Sequence, residues 1–266
     1  MKVFIQTDDK GVYPTVNFYT AAIGFKELGY HIENFYWDTN NKCTEFIYPE
    51  QEFDKETVVI GGIPVIDYVY DRLRVVNPYL EDYPDELNHR MFMQRDMGKI
   101  KIGTIRKWIQ EDLEDDHINT YFIKPMAPQR KIFTGHLVSR FVDLIKTSGL
   151  DSDTIVWVTN EIKLISEYRA FVHNSKLVGI KHYKGDFTKF PDINAIESMI
   201  KAYTKAPVAY ALDVGIEEIK GGHIHLERTI LVEVNDSNAL GCYGLGPVTY
   251  AKMLADRWEE VMKNGK

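Results

Sequence analysis

The chain has 266 residues, 44% of them hydrophobic and 12% aromatic, with a formal net charge of −7 and a pI near 5.7. It can bury one large core or two to three small lobes, and its acidity argues against a general nucleic-acid or membrane-surface binder. Its two cysteines, Cys43 and Cys242, belong to no Cys-x-x-Cys pair, so they form no disulfide framework and fit a reducing cytoplasm, the expected location.

The first residues, MKVFIQTDDKG, have a short apolar run before Gln6 and read as a strand over Val3 to Gln6, not as a signal peptide. Tyr13 to Leu28 is predicted helical, with Val16, Tyr19, Ala22 and Ile23 on one stripe and Gly29 at its C-terminal end. A second strand follows near Ile32 to Tyr36. A third runs from Thr57 into Gly61 and Gly62 before a helix led by Pro64. This opening predicts a small open α/β unit with parallel pairing. Asn77 to Arg90, polar and carrying two prolines, predicts a lobe boundary. Beyond it, Thr104 to Leu113 reads as a helix, Thr120 to Lys124 as a strand, and Leu137 to Thr147 as an amphipathic helix ended by Gly149. Thr154 to Val158 is a predicted buried strand, and Lys163 to Lys184 a hairpin turning at Asn174 and Ser175. Pro247 to Met262 closes the chain as a helix. No apolar run approaches membrane-spanning length, and no repeat is apparent.

The most informative stretch is Ala209 to Gly246. It sets Asp213 at the end of one strand and Glu233 with Asn235 on a second, a Gly-Gly turn at Gly221 and Gly222 folding the second back beside the first. Residues two apart on a strand share a face, so Glu233 and Asn235 look out together. Asp and Asn also cap turns at ordinary strand ends. Two carboxylates and an amide oxygen, without Cys or His, otherwise suit Mg2+ better than Zn2+, and Mg2+ usually arrives with substrate phosphates.

A complementary set of cations lies in YFIKPMAPQRKIFTGHLV. Lys124 ends a strand, Arg130 and Lys131 occupy the loop, and backbone N–H groups near Thr134, Gly135 and His136 start the expected helix, which together would cradle an anion. A lysine on a strand is otherwise an ordinary solvated edge charge.

Joined in order, FIKP, KIFTG, SEYRAF, IKHYKGD, YALDVG and LVEVNDSNALGCYGL resemble the ATP-grasp superfamily, near its RimK-like branch of peptide and amide ligases. The resemblance covers Tyr121 to the C-terminus. It implies an α/β class chain with an N-terminal open lobe over 1–86, a small ATP-grasp lobe over 87–160 and a C-terminal lobe over 161–266, the last two clasping ATP between antiparallel sheets. It also implies roles. Lys124 matches the strand lysine that contacts ATP phosphates, with Lys131 beside it, and Asp213, Glu233 and Asn235 match the ligands of one or two Mg2+, Mn2+ serving in its place. Trp157 to Leu164 resembles the segment that grips adenine through backbone groups, which brings in Glu161, Ile162, Lys163 and Leu164, with Glu161 and Glu167 assigned to the ribose. Arg169 and Lys181 stand where that branch has basic groups facing phosphates or acyl substrate. The loop after Lys124 departs from the family in having one glycine and two basic residues. An earlier ATP-contacting lysine is open among Lys99, Lys101 and Lys107.

The implied reaction is ATP-dependent carboxylate–amine ligation through an acyl phosphate, forming an amide or peptide bond and releasing ADP and phosphate. It needs positioning and charge neutralisation, and no side-chain nucleophile. The carboxylate and amine are small molecules, peptides or proteins, with no membrane partner and nucleic acid disfavoured by the overall charge. Three rivals stand beside it. The fold could bind nucleotide without catalysis, or His223 and His225 could serve a metallohydrolase as zinc ligands on one strand face. The basic set Arg130, Lys131, Arg140, Lys181, Lys184 and Lys189 could instead face a nucleic-acid acceptor.

Overall fold

The computed structural model describes residues 1–37, 46–48 (backbone only), 53–114, 119–126, 132–221 and 224–265. It opens with strand β1 (Lys2–Thr7), helix α1 (Val16–Glu27), strand β2 (His31–Trp37), a short strand β3 (Phe46–Tyr48), strand β4 (Val58–Ile60) and helix α2 (Ile63–Arg72). The sheet order is β3-β2-β1-β4. β1 pairs in parallel with β2 and β4, as the alternating pattern predicts, while β3 joins as an antiparallel edge that the sequence reading did not contain. Val3, Phe4 and Ile5 are buried on both faces, which is why this strand reads as a continuous apolar run.

The predicted stripe of α1 is corrected. Val16 is 68% and Tyr19 56% exposed, and the buried face is Ala21, Ala22, Gly24 and Phe25. Small residues win there because the C-terminal helix α6 (Pro247–Asn264) lies against them: a Cβ on Gly24 would stand 2.0 Å from the Pro247 carbonyl oxygen. Periodicity alone does not separate a close-packed small-residue face from a solvated aromatic one. Gly29, at φ +79°, ends the helix as expected.

A short helix α3 (Arg90–Met93) precedes the second sheet, built from β5 (Gly98–Lys101), helix α4 (Ile102–Glu114), β6 (Tyr121–Pro125), β7 (His136–Val138) and β8 (Ile155–Asn160). Its order is β5-β8-β6-β7, with every described pairing antiparallel. Here the predicted helix over Leu137 to Thr147 is wrong. Leu137 and Val138 belong to β7, and only Phe141–Thr147 winds, as a 3-10 helix. Phe141, Val142 and Ile145 are exposed while Leu144 and Thr147 are buried, so no apolar stripe exists to stabilise a full α-helix.

The third sheet is β9 (Leu164–His173), β10 (Lys176–Gly185), β11 (Ala209–Gly221) and β12 (Ile224–Asp236), ordered β10-β9-β11-β12 and wholly antiparallel. The β9–β10 hairpin turns at Asn174 and Ser175, whose φ values of 51° and 58° are those of a two-residue primed turn. A helix absent from the sequence reading, α5 (Ile193–Ala202), starts where the Asp192 side chain accepts from the Asn194 N–H at 2.9 Å and packs Ile196 and Met199 onto this sheet.

α6 joins the first and third sheets. Its buried Arg257 forks Asp236 at the end of β12 at 2.9 and 2.6 Å and reaches Glu260 at 2.7 Å, and Glu260 accepts from the Val208 N–H ahead of β11. Among the described residues no helix is long and apolar enough to cross a membrane.

Candidate active site

The register of the third sheet assembles the centre. Lys181 stands opposite Arg169, Arg169 opposite Asp213, and Asp213 opposite Glu233, so one row of charge crosses all four strands on one face. The last step depends on a bulge. Val214 pairs with Leu231 while Asp213 pairs with Glu233, leaving Val232 as the extra residue. That bulge is held from outside the sheet: buried Arg95 donates to the Leu231 carbonyl at 2.7 Å and the Val232 carbonyl at 3.0 Å, and the Val234 N–H donates to the Asp82 carbonyl at 2.8 Å.

Arg169 forks Asp213, with Nε to Oδ1 and Nη2 to Oδ2 both at 2.7 Å, and its plane lies 4.8 Å from the Tyr243 ring centre. Both partners are buried, Arg169 at 7% and Asp213 at 4% exposure. Burial raises the Asp213 carboxyl, and the Arg169 fork opposes that rise. Asn235 bridges the acids, its Nδ2 donating to Asp213 Oδ2 and Glu233 Oε1 at 3.2 Å each. Two carboxylates thus converge on one amide group, oxygen-rich and free of sulfur and imidazole, which fits a hard divalent cation such as Mg2+.

A second row faces the first. In the β5–β8 sheet both Lys99 and Lys124 stand opposite Trp157, so the two lysines share a face across the central strand. Lys124 Nζ reaches across to Glu233 Oε2 at 2.5 Å and to Asp82 Oδ2 at 2.8 Å, over the Tyr83 ring. Burial disfavours its ammonium, but Tyr83, Glu233 and Asp82 outweigh burial and hold it above the ordinary lysine value. Glu233, pushed up by burial, is held below the ordinary carboxylate value by Lys124 and Asn235. All three open lysines are ion-paired at the surface, Lys99 with Glu81 at 3.3 Å while lying 4.8 Å from the Trp157 ring centre, Lys101 with Asp153 and Lys107 with Glu111.

Beside Lys124 and Glu233 lies a cleft of about 660 Å3, lined also by Glu161, Ile162, Lys163, Leu164 and Glu167 among others. The link from β8 to β9 therefore forms its wall. Glu167 accepts from Tyr183 Oη at 3.1 Å and pairs with Lys184. Gly135 closes another side, where a Cβ would meet Phe122 Cζ at 2.9 Å and Lys124 Cβ at 3.2 Å.

The expected helix-start cradle is not formed. Thr134, Gly135 and His136 lead into β7, where His136 pairs with Ile123, so the basic loop joins two strands and offers no helix N-terminus. Arg130 and Lys131 lie outside the described residues, as do His223 and the side chain of His225. Among the described residues no group of three or more His, Cys, Asp or Glu is placed to hold a metal. Asp213 and Glu233 make a three-ligand set only with Asn235. Lys181 has no ion-pair partner among the described residues, whereas Lys184 and Lys189 of the basic set pair with Glu167 and Glu227. Sequence reading missed Asp82, Tyr83 and Arg95 entirely. They come from an aperiodic segment whose one signal was acids and an aromatic around a proline.

No curated protein matches this sequence. A family model described as "ATP-grasp domain, R2K clade family 2" matches residues 88–253. Among solved structures, a RimK domain ATP-grasp protein from Sphaerobacter thermophilus DSM 20745 is similar at TM-score 0.59 and 15% identity, over 96% of this chain and 98% of that one. The D-cycloserine synthetase DcsG is similar at TM-score 0.57 and 10% identity, over 97% and 100%. A D-alanine–D-alanine ligase from Bacillus anthracis complexed with ATP is similar at TM-score 0.50 and 12% identity, over 98% and 97%. The fold is thus shared end to end with these proteins, and with a family model spanning more than half of its length this chain belongs to the ATP-grasp superfamily, family 2 of the R2K clade, and is an ATP-dependent ligase.

Proposed function

We propose that this ligase joins a carboxylate to an amine through an acyl phosphate, releasing ADP and phosphate. The observation that carries the reading is Lys124 on one sheet meeting Glu233, the end of the Lys181, Arg169, Asp213 and Glu233 row on the other, at the wall of the cleft. Backbone groups of Glu161 to Leu164 receive adenine and Glu167, with Glu161, the ribose. Lys124 takes the phosphates, with Lys131 from the loop. When bound, Mg2+ or Mn2+ at Asp213, Glu233 and Asn235 supplies charge against the phosphate oxygens.

In the free protein Lys124 neutralises Glu233. Its side chain is 14% exposed and two carboxylates hold it, so it waits at the cleft wall already charged and ordered. Arg169 and Lys181 border the row where negative charge builds during transfer, and their charge lowers that barrier without moving a proton. Cys242 stays outside the chemistry: it is buried, its Sγ directed to Thr20 Oγ1 and its N–H to Asn17.

That a similar fold was solved as a D-alanine–D-alanine ligase with ATP supports the reading. The test is calorimetry with Mg-ATP followed by a screen of amino acids, peptides and tailed proteins for substrate-stimulated ADP release. ATP binding with substrate-dependent ADP is expected. Binding without turnover on any carboxylate would favour a non-catalytic nucleotide binder, and hydrolysis without ATP a metallohydrolase.

A further inference from the structure

Both oxygens of Glu233 are engaged in the free protein. Oε1 accepts from Asn235 Nδ2 at 3.2 Å, and Oε2 pairs with Lys124 Nζ at 2.5 Å. An oxygen that holds an ammonium cannot also give its electron pairs fully to a divalent cation, and an ammonium left beside that cation is repelled by it. Lys124 must therefore loosen from Glu233 before Glu233 can act as a ligand. With a side chain only 14% exposed, it would then be a largely buried charge in need of another counter-ion. Asp82 supplies one. Its Oδ2 lies 2.8 Å from Lys124 Nζ, and its side chain is 5% exposed. Its carbonyl accepts from the N–H of Val234, next to Glu233, at 2.8 Å. The following residue, Tyr83, packs its ring edge-on to Trp157 of β8 at 5.0 Å and lies under Lys124. Asp82 is thus fixed against both sheets, and while Tyr83, Lys124 and Glu233 line the cleft, Asp82 does not.

Resting on the reading of Glu233 as a metal ligand, we infer that Asp82 is a positioning residue that retains Lys124 when Glu233 turns to the cation. The ammonium then stays ordered at the cleft wall, exchanging one carboxylate for phosphate oxygens and keeping the other. Glu233 and Asp82 divide two tasks that a single carboxylate could not perform together. No proton moves and no covalent bond is made. Without the Asp82 charge the balance tips the other way: among the described residues Glu233 alone would neutralise Lys124, and the pair would resist opening to a metal.

The experiment follows the rise in melting temperature that excess ATP confers on the full chain as Mg2+ is added, a readout that needs no turnover and reports folding in the same scan. The proteins are wild type, Asp82→Asn, Asp82→Glu, Lys124→Met and the double variant Asp82→Asn with Lys124→Met. In Asp82→Asn the Mg2+ concentration giving half of the rise should increase about ten-fold, the scale of one charge-assisted contact. Asp82→Glu keeps the charge and should stay within about three-fold of wild type. In the Lys124→Met background Asp82→Asn should shift the midpoint about two-fold or less, because the group through which it acts is gone. An equal shift in both backgrounds would mean that Asp82 acts on the cation directly or on the fold at large, and would overturn the inference. An unaltered Asp82→Asn, or an Asp82→Glu as impaired as Asp82→Asn, would overturn it too. Should Asp82→Asn not melt cooperatively, Asp82→Ser takes its place in the same comparison. Failure of the ligase reading is separately visible, as a wild type whose melting temperature ATP and Mg2+ do not raise.

Discussion

Lys124 is held at Glu233 and Asp82 with little solvent around it, so its removal leaves buried carboxylates without their cation. Breaking such a pair costs about 3–5 kcal/mol, and Lys124→Met should lower stability by that order in urea denaturation while weakening Mg-ATP binding. The pH dependence follows from the directions of the shifts. Glu233 sits below its ordinary value, so its contribution is present above about pH 4.3 and fades as pH falls through the depressed value. Lys124 sits above its ordinary value, so its contribution is full below about pH 10.4 and is lost only beyond it. In Lys124→Met the sign on the acid side reverses: Glu233, buried without its cation, rises above its unfolded value, and stability should increase as pH falls. A variant that keeps the wild-type acid-side slope would contradict this account. Glu233→Gln and Asn235→Ala, which contribute charge and geometry more than packing, should keep the fold and lose turnover, most severely at limiting Mg2+. Activity assayed across a Mg2+ series checks this, and an unchanged Mg2+ dependence in both would remove them from the metal site.

At the level of elements, close approach decides more than hydropathy. Gly24→Ala would drive a methyl group into the Pro247 carbonyl and separate α1 from α6, costing about 1–3 kcal/mol. A thermal melt of the variant checks it, and an unchanged Tm would mean that the two helices pack less tightly than described. The same contact explains which elements were legible in the sequence. The β9–β10 hairpin declared itself through alternation around Asn174 and Ser175, and β12 through the apolar run that spaces Glu233 from Asn235. Both signals are local. The face of α1 was misread because Gly24 and Ala21 are core only by virtue of a helix more than two hundred residues away. The 3-10 helix over Phe141–Thr147 was mistaken for a longer α-helix because its exposed apolar residues imitate a stripe. α5 was legible and was passed over: Asp192 caps it, and Ile193, Ile196, Met199 and Ile200 recur at helical spacing. Asp82, Tyr83 and Arg95 were illegible for another reason: they act from a coil whose place is fixed by hydrogen bonds to β12, and coils carry no period.

For the molecule as a whole, three sheets bring the charges together across long stretches of chain. Lys124 and Glu233 are 109 residues apart, and Arg95 clamps a strand 136 residues downstream. The sequence motifs named the participants, and the sheet register set their order in the row. What the central claim requires is that this row receive a phosphoryl group bound for a carboxylate and not for water. The direct measurement is the fate of 18O from a labelled carboxylate substrate during turnover with ATP, Mg2+ and an amine, with nucleotide products read in the same reaction. Transfer to a carboxylate predicts ADP with one label in the released phosphate. AMP with pyrophosphate, or phosphate free of label, would contradict it.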